Sequence, residues 1–332
     1  MVLIERRTGF FLVLRRSRRE GWSVAVDRWG EGRRELMEKT VRRIDHIVMP
    51  VVSSKASRTF FEALGFTVAP AAVHPFGTEN ACVFFEDGTY LEPLAIADPR
   101  IYAAADRNGT VFVRRDAVFR ARRGTPGFSG MAFASRDAAA DWQSFDGAEL
   151  ADGDLFQFAR TFEAPDGSKR ELGFRLAFAA DSHAPDLFFF ACQALAKPGD
   201  RSALAAHANG VTGIARLVLS AEDPADVQRL LHEVLGQRPV ASDAGSLFVD
   251  APNARIDILT SAALALRYGA TRDSQPGLRF EGVVLTVPDL GTIEGLARRH
   301  DLPARRQEDR LVVPLAGQTG PFLAFEAKVA AD

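Results

Sequence analysis

The chain has 332 residues, of which 47% are apolar and 25% charged, with a net charge of −2. That is enough apolar material for one or two real cores, and the length suggests two domains. The charge balance excludes a disordered polyelectrolyte and leaves too little positive charge for nucleic acid to be the main partner. No apolar stretch approaches the ~18 to 20 residues of a membrane span. The two cysteines, Cys82 and Cys192, rule out a disulfide framework or a multi-cysteine zinc cluster and fit a reducing cytoplasm. Of the 41 basic residues 36 are arginine, which with abundant alanine is the composition of a GC-rich bacterial genome.

Residues 1–36 stand apart. They carry nine arginines and five acids, and their apolar run Gly9 to Leu14 is short and flanked by arginine. A secretory segment needs a longer run and a small-residue cleavage site. Met37 opens a segment that reads like an ordinary protein start, so 1–36 is expected to be an extension outside any domain.

From there the chain repeats one plan four times: an apolar strand, a polar junction, an amphipathic helix, then more strands. The first copy begins with Ile44-Asp45-His46-Ile47-Val48-Met49 and continues with a helix over 53–64. Val83-Phe84-Phe85-Glu86 and Thr89-Tyr90-Leu91-Glu92 then flank an Asp-Gly turn. The second begins at Phe128-Ser129-Gly130-Met131-Ala132-Phe133, with a helix over 137–145 and strands around Pro165-Asp166-Gly167. The third starts at Ile214-Ala215-Arg216-Leu217-Val218-Leu219. Val227, Leu230, Leu231, Val234 and Leu235 then recur at helical spacing, and Gly236 stops the helix. The fourth starts at Gly282-Val283-Val284-Leu285-Thr286-Val287, with a helix over 290–300. Residues 98–126, 197–209 and 261–276 read as linkers, and the arginines at 114–123 as a solvated face.

The plan is therefore βαβββ, four times. It resembles the vicinal-oxygen-chelate superfamily, which includes glyoxalase I, bleomycin-resistance proteins and type I extradiol dioxygenases, and within it the glyoxalase-like branch. The resemblance spans about residues 42–327. It is carried by Ile44-Asp45-His46-Ile47-Val48, Phe61-Glu62-Ala63-Leu64-Gly65-Phe66, His74-Pro75-Phe76-Gly77-Thr78-Glu79-Asn80 and Tyr90-Leu91-Glu92. Further along, Phe189-Phe190-Ala191-Cys192-Gln193, His207-Ala208-Asn209-Gly210 and Ala221-Glu222-Asp223-Pro224 add to it. It implies an α+β fold: two half-open barrels of curved, mostly antiparallel sheet with helices outside. Units one and two form a domain over 37–196, 197–211 is a linker, and units three and four form a domain over 212–332.

The resemblance also implies a divalent metal held by a histidine on a unit's first strand and a glutamate on its last. His46 and Glu92 hold those positions. Period-two alternation sets Ile44, His46 and Val48 on one face, and Tyr90, Glu92 and Leu94 on another. Imidazole and carboxylate suit zinc, iron, nickel or manganese without choosing among them. Pro93 removes an amide from the ladder, so the strand is expected to bulge there or to run along an edge. The ligand positions of the other units fall at Gly130 and near Phe189, at Leu217 or Ala215 with Asp257, and at Val283 with Glu326. His74, Asn80, Tyr90 and Gln193 are expected to line the pocket, and Glu79 is the candidate base. The expected function is a metal-dependent lyase or isomerase acting on a small oxygen-chelating molecule. The alternative is a metal-free binding or resistance protein of the same fold; extradiol dioxygenase chemistry is a weaker third. The partner is a small molecule rather than nucleic acid or membrane, and the resemblance allows a homodimer.

Overall fold

The computed structural model describes residues 12–16, 22–26, 41–163, 169–196, 199–317 and 320–328. Residues 1–40 form a unit of their own, in which β1 (Leu12–Arg16) and β2 (Trp22–Val26) pair as an antiparallel hairpin. The remainder of the expected extension lies outside the described residues.

Residues 41–332 form the second unit. Its first sheet draws on β3 (Ile44–Pro50), β4 (Ala72–Val73), β5 (Thr78–Asn80), β6 (Val83–Phe84), β7 (Tyr90–Ile96), β8 (Gly130–Ala134), β9 (Phe156–Glu163), β10 (Lys169–Ala179) and β11 (Phe188–Ala194). The order is β4-β5-β7-β3-β8-β11-β10-β9, with β6 also on β7. The strands β3 and β7 are parallel, as are β8 and β11, and the two βαβββ halves meet where β3 pairs antiparallel with β8. Helix α1 (Ser54–Ala63) joins β3 to β4; the Ser53 hydroxyl accepts from the Ala56 amide at 3.2 Å, satisfying one of the free donors at its start. Helices α2 (Pro99–Arg107) and α3 (Val111–Arg123) follow β7, and α4 (Ala138–Gly147) follows β8.

The second sheet repeats the order. After the short α5 (Ser202–Ala205) come β12 (Ile214–Ser220), a 3₁₀ turn Pro224–Val227 and α6 (Gln228–Leu235). The chain continues through β13 (Val240–Ala241), β14 (Leu247–Ala251), β15 (Ala254–Leu259), α7 (Ser261–Tyr268), β16 (Arg279–Val287) and α8 (Leu290–Arg299). It ends with β17 (Arg305–Gln307), β18 (Arg310–Pro314) and β19 (Phe322–Ala327), in the order β13-β14-β15-β12-β16-β19-β18-β17. Gly236 takes the left-handed φ of 73° that closes α6, where a Cβ would be strained. No helix among the described residues is long and apolar enough to cross a membrane.

One continuous core lies on the helical side of both sheets, and Phe61, Phe133, Phe145, Leu231, Ile258, Val283 and Phe325 belong to it. Phe128 on Phe280 (5.0 Å between ring centroids) and Asn253, bonded to both Ile44 N and Ile44 O (3.0 and 2.9 Å), tie the two sheets together. Each concave face carries a separate apolar cluster.

Four sequence expectations are corrected. Segment 98–126 is largely the helical hairpin α2–α3, and 261–276 begins with α7. Both pack into concave faces, because an apolar sheet face must be covered. The arginines of α3 are clamps: Arg120 bonds Asp116, Val51 O and Leu94 O, and Arg114 and Arg115 both grip Asp152. The third correction concerns β3. A register shift between Ile44 and His46 turns Ile44 into the main core while His46 and Val48 face the concave side, so the three do not share a face. The last concerns Pro93. Strand β7 is interior, and its register with β5 and β6 is unchanged across Glu92 and Pro93; the missing amide only interrupts the ladder.

Candidate functional site

The concave side of the first sheet holds a cavity of about 40 Å³, enough for a small cluster of waters. Phenyl and phenol rings form half of its wall: Phe76, Tyr90, Phe112, Phe158, Phe174 and Phe190. Four polar side chains interrupt them, His46, His74, Glu92 and Arg160.

His46 and Glu92 come together because β3 and β7 run parallel with His46 opposite Tyr90 and Val48 opposite Glu92. Both side chains are buried. His46 Nε2 stands 3.4 Å from Glu92 Oε2, and its Nδ1–H donates to Asp45 Oδ2 at 2.6 Å. Tyr90 stacks on the imidazole at 4.4 Å, and Phe190 meets it edge-on at 5.4 Å. Asn80 Nδ2 donates to Glu92 Oε1 at 2.5 Å. His74 bonds Thr78 Oγ1 through Nδ1 at 2.9 Å, and its Nε2 lies 3.9 Å from Glu92 Oε1.

Burial works against charge on His46, yet Asp45 and Glu92 together push its pKa up to about 9. Glu92 is likewise opposed by burial but held down to about 2 by His46, with His74 and Asn80 adding to the effect. Burial lowers His74 to about 4 against the pull of Glu92, so this ring is neutral. The Tyr90 phenol and both cysteine thiols are pushed up, first by burial, and stay protonated.

His46, Glu92, His74 and Tyr90 therefore converge at the cavity, with Asn80 bridging Glu92 to Arg160. Two expected residues do not join them. Glu79 points to the other face of β5 and accepts from Ser54 Oγ at 2.6 Å, because alternation turns Thr78 and Asn80 inward. Gln193 caps α4, accepting from the Ala138 amide and donating to Arg136 O. Asp45 and Arg160 were not singled out from the sequence. Asp45 is the neighbour of His46, re-aimed by the bulge. Arg160 had a sequence signal, since it is in phase with Phe156 and Phe158 on one strand face, but the strand begins earlier than its turn suggests.

The equivalent positions of the second unit and Asp257 of the third fall as expected, while the first-strand positions of units three and four differ. Across the antiparallel β3–β8 pair, Gly130 and Phe190 correspond to His46 and Glu92. The same bulge between Ile214 and Arg216 aligns Arg216, not Leu217 or Ala215, with His46, and Asp257 with Glu92. Gly282, not Val283, corresponds to Gly130. In the second barrel Asp257 accepts from Arg255 Nε at 2.9 Å and lies 3.6 Å from Arg216, while Glu326 pairs with Arg216 and Arg310. Tyr268 of α7 fills the space, fully buried and stacked on Phe322 at 5.0 Å. An ion-pair network and a helix plug thus occupy the place of a pocket.

The fit of a metal can be read from these atoms. Two donors about 2.1 Å from one ion at an angle of about 110° stand about 3.4 Å apart, which matches His46 Nε2 and Glu92 Oε2. A carboxylate behind the imidazole is the usual support for a metal-binding histidine, and Asp45 supplies it. The pair fits a divalent ion. Among the described residues no group of three or more His, Cys, Asp and Glu side chains is set to hold one, so a bound ion would need His74 to close in or water to complete its shell.

Fold and site together define a vicinal-oxygen-chelate protein. The family model described as "Glyoxalase-like domain" matches residues 44–235, and the chain belongs to that family. Two solved structures, with TM-scores above 0.5, agree in fold, and a third is similar at a lower score. A hypothetical protein from Staphylococcus aureus has 11% identity and a TM-score of 0.60, over 87% of this chain and all of that one. A triple mutant of 4-hydroxymandelate synthase from Streptomyces coelicolor has 13% identity and a TM-score of 0.53, over 88% and 94%. A Mn(II)-bound glyoxalase from Novosphingobium aromaticivorans has 12% identity and a TM-score of 0.47, over 86% and 82%. No curated protein matches the sequence.

Proposed function

We propose that the cavity of the first barrel is a divalent-metal site of an enzyme of the lyase or isomerase type acting on a small oxygen-bearing molecule. The observation that carries this is the 3.4 Å spacing of two buried donors, His46 Nε2 and Glu92 Oε2, with Asp45 behind the imidazole. His46 and Glu92 hold the ion and His74 is the nearest further donor. A bound ion supplies Lewis-acid stabilisation of negative charge developing on substrate oxygen. The chain does the rest. Asp45 holds the Nδ1 proton and so keeps the Nε2 lone pair inward, Asn80 fixes Glu92 through Oε1, and the aromatic wall gives the site an apolar surround.

The test is elemental analysis of purified protein by plasma mass spectrometry, with a His46→Ala, Glu92→Ala double variant beside it. Near-stoichiometric metal that the variant lacks is the expected result. Folded protein that holds no metal and refuses added metal overturns the reading. A second reading, metal-free sequestration of a small molecule, is favoured by Gly130 and Phe190 at the second unit's ligand positions. It predicts no change in thermal stability on chelation, whereas a bound ion stabilises by mass action.

A further inference from the structure

We infer that the ligand of the first barrel carries a carboxylate, docked on Arg160. The inference rests on the reading of this cavity as a small-molecule site and adds the ligand's charge. Arg160 Nη1 donates to Asn80 Oδ1 at 3.1 Å, and the guanidinium carbon lies 5.7 Å from the Phe174 ring centre. Its Nε–H is buried with no hydrogen-bond partner, and among the described residues Arg160 forms no ion pair. Other partly or fully buried arginines are paired with acids, Arg42 with Asp141, Arg120 with Asp116 and Arg279 with Asp273, although Arg279 keeps an unbonded Nε and Nη1 beside its partner.

Buried donors are almost always satisfied, and a guanidinium stays charged in any site. Arg160 is a cavity-wall cation without a counter-ion among the described residues, and its Nε–H has no acceptor within the chain; the two together point to an acceptor from outside. The nearby acid, Glu92, is already engaged by His46 and Asn80. A planar carboxylate matches the guanidinium fork. The small cavity limits the ligand's size, and Phe76, Phe112, Phe158 and Phe190 favour an apolar body. Asn80 accepts from Arg160 and donates to Glu92, so the anion sits one side chain away from the His46–Glu92 pair.

The test is calorimetric titration of the full chain with acetate and propionate, and with acetamide and propionamide as neutral isosteres. A hydrogen bond to a charged group is worth enough that the acids should bind about tenfold or more tightly than the amides. Arg160→Gln should lose that preference while metal content stays as in the wild type, and Arg160→Lys should keep part of it. In the unaltered protein the Arg160 Nε–H resonance should shift with acetate and not with acetamide, a readout that needs no variant. Amides binding as well as acids, an unmoved Nε–H signal, or Arg160-dependent binding of inorganic phosphate in place of carboxylates overturns the inference. Carboxylate binding by wild-type protein that holds no metal and refuses added metal sustains it while the metal reading falls. Metal retained without carboxylate binding sinks it alone.

Discussion

Removing the charge of Glu92 in chelator-treated protein isolates the buried pair. His46 is almost fully buried, which opposes its charge, yet Asp45 and Glu92 raise its pKa from 6.5 to about 9. A rise of that size favours the folded state by about 3 kcal/mol where the ring is charged. Two carboxylates share the effect, so Glu92→Gln should cost on the order of 1–2 kcal/mol. The folded value lies above the unfolded one, so the contribution is complete below pH 6.5 and is lost as pH rises through about 9. Beyond that, the wild type keeps a buried carboxylate without its cation, and the cost of the substitution should vanish or reverse. Urea unfolding followed by circular dichroism at about pH 6 and about pH 9.5 measures this. A cost that is equal at both pH values refutes the charged pair.

Further outcomes follow from packing. A Cβ on Gly282 meets Phe322 at 2.3 Å, and one on Gly130 meets Phe188 at 2.8 Å. Gly282→Ala should therefore destabilise more than Gly130→Ala, both within about 1–3 kcal/mol, as thermal melts will show. Tyr268→Ala removes the plug of the second barrel and should cost about 3–5 kcal/mol. Metal content and carboxylate binding should not change, and loss of either would place the second barrel in the site.

How far the sequence reached differs from element to element. The four repeats were legible because strand alternation and helical spacing are local, and Gly236 ends α6 by a conformation that few other residues adopt. His46 and Glu92 were legible because the resemblance named the strand positions and alternation gave Glu92 its inward face. The face of His46 was reached with a partly mistaken partner, since one extra residue in β3 reverses the side of everything before it. The entry Asp98-Pro99 has the same chemistry as Asp223-Pro224, so α2 carried its start signal. The density of arginine in α3 hid its role, because whether an arginine faces water or grips Asp116 depends on the sheet beneath it.

The sequence by itself determined the units and their order, since these rest on short-range periodicity and residue type, and its resemblance to a known family pointed to the buried pair. Tertiary structure decided which inward positions form a cavity and which are filled. Arg216 and Asp257 occupy the positions of His46 and Glu92, yet there they pair with each other and with their neighbours beneath a helix plug. Only three-dimensional packing left Arg160 facing the cavity without a counter-charge and turned Glu79 and Gln193 away from it. The reason is physical: register, bulges and crossing helices set which groups share a buried volume, and no local pattern encodes a distance between residues far apart in the chain.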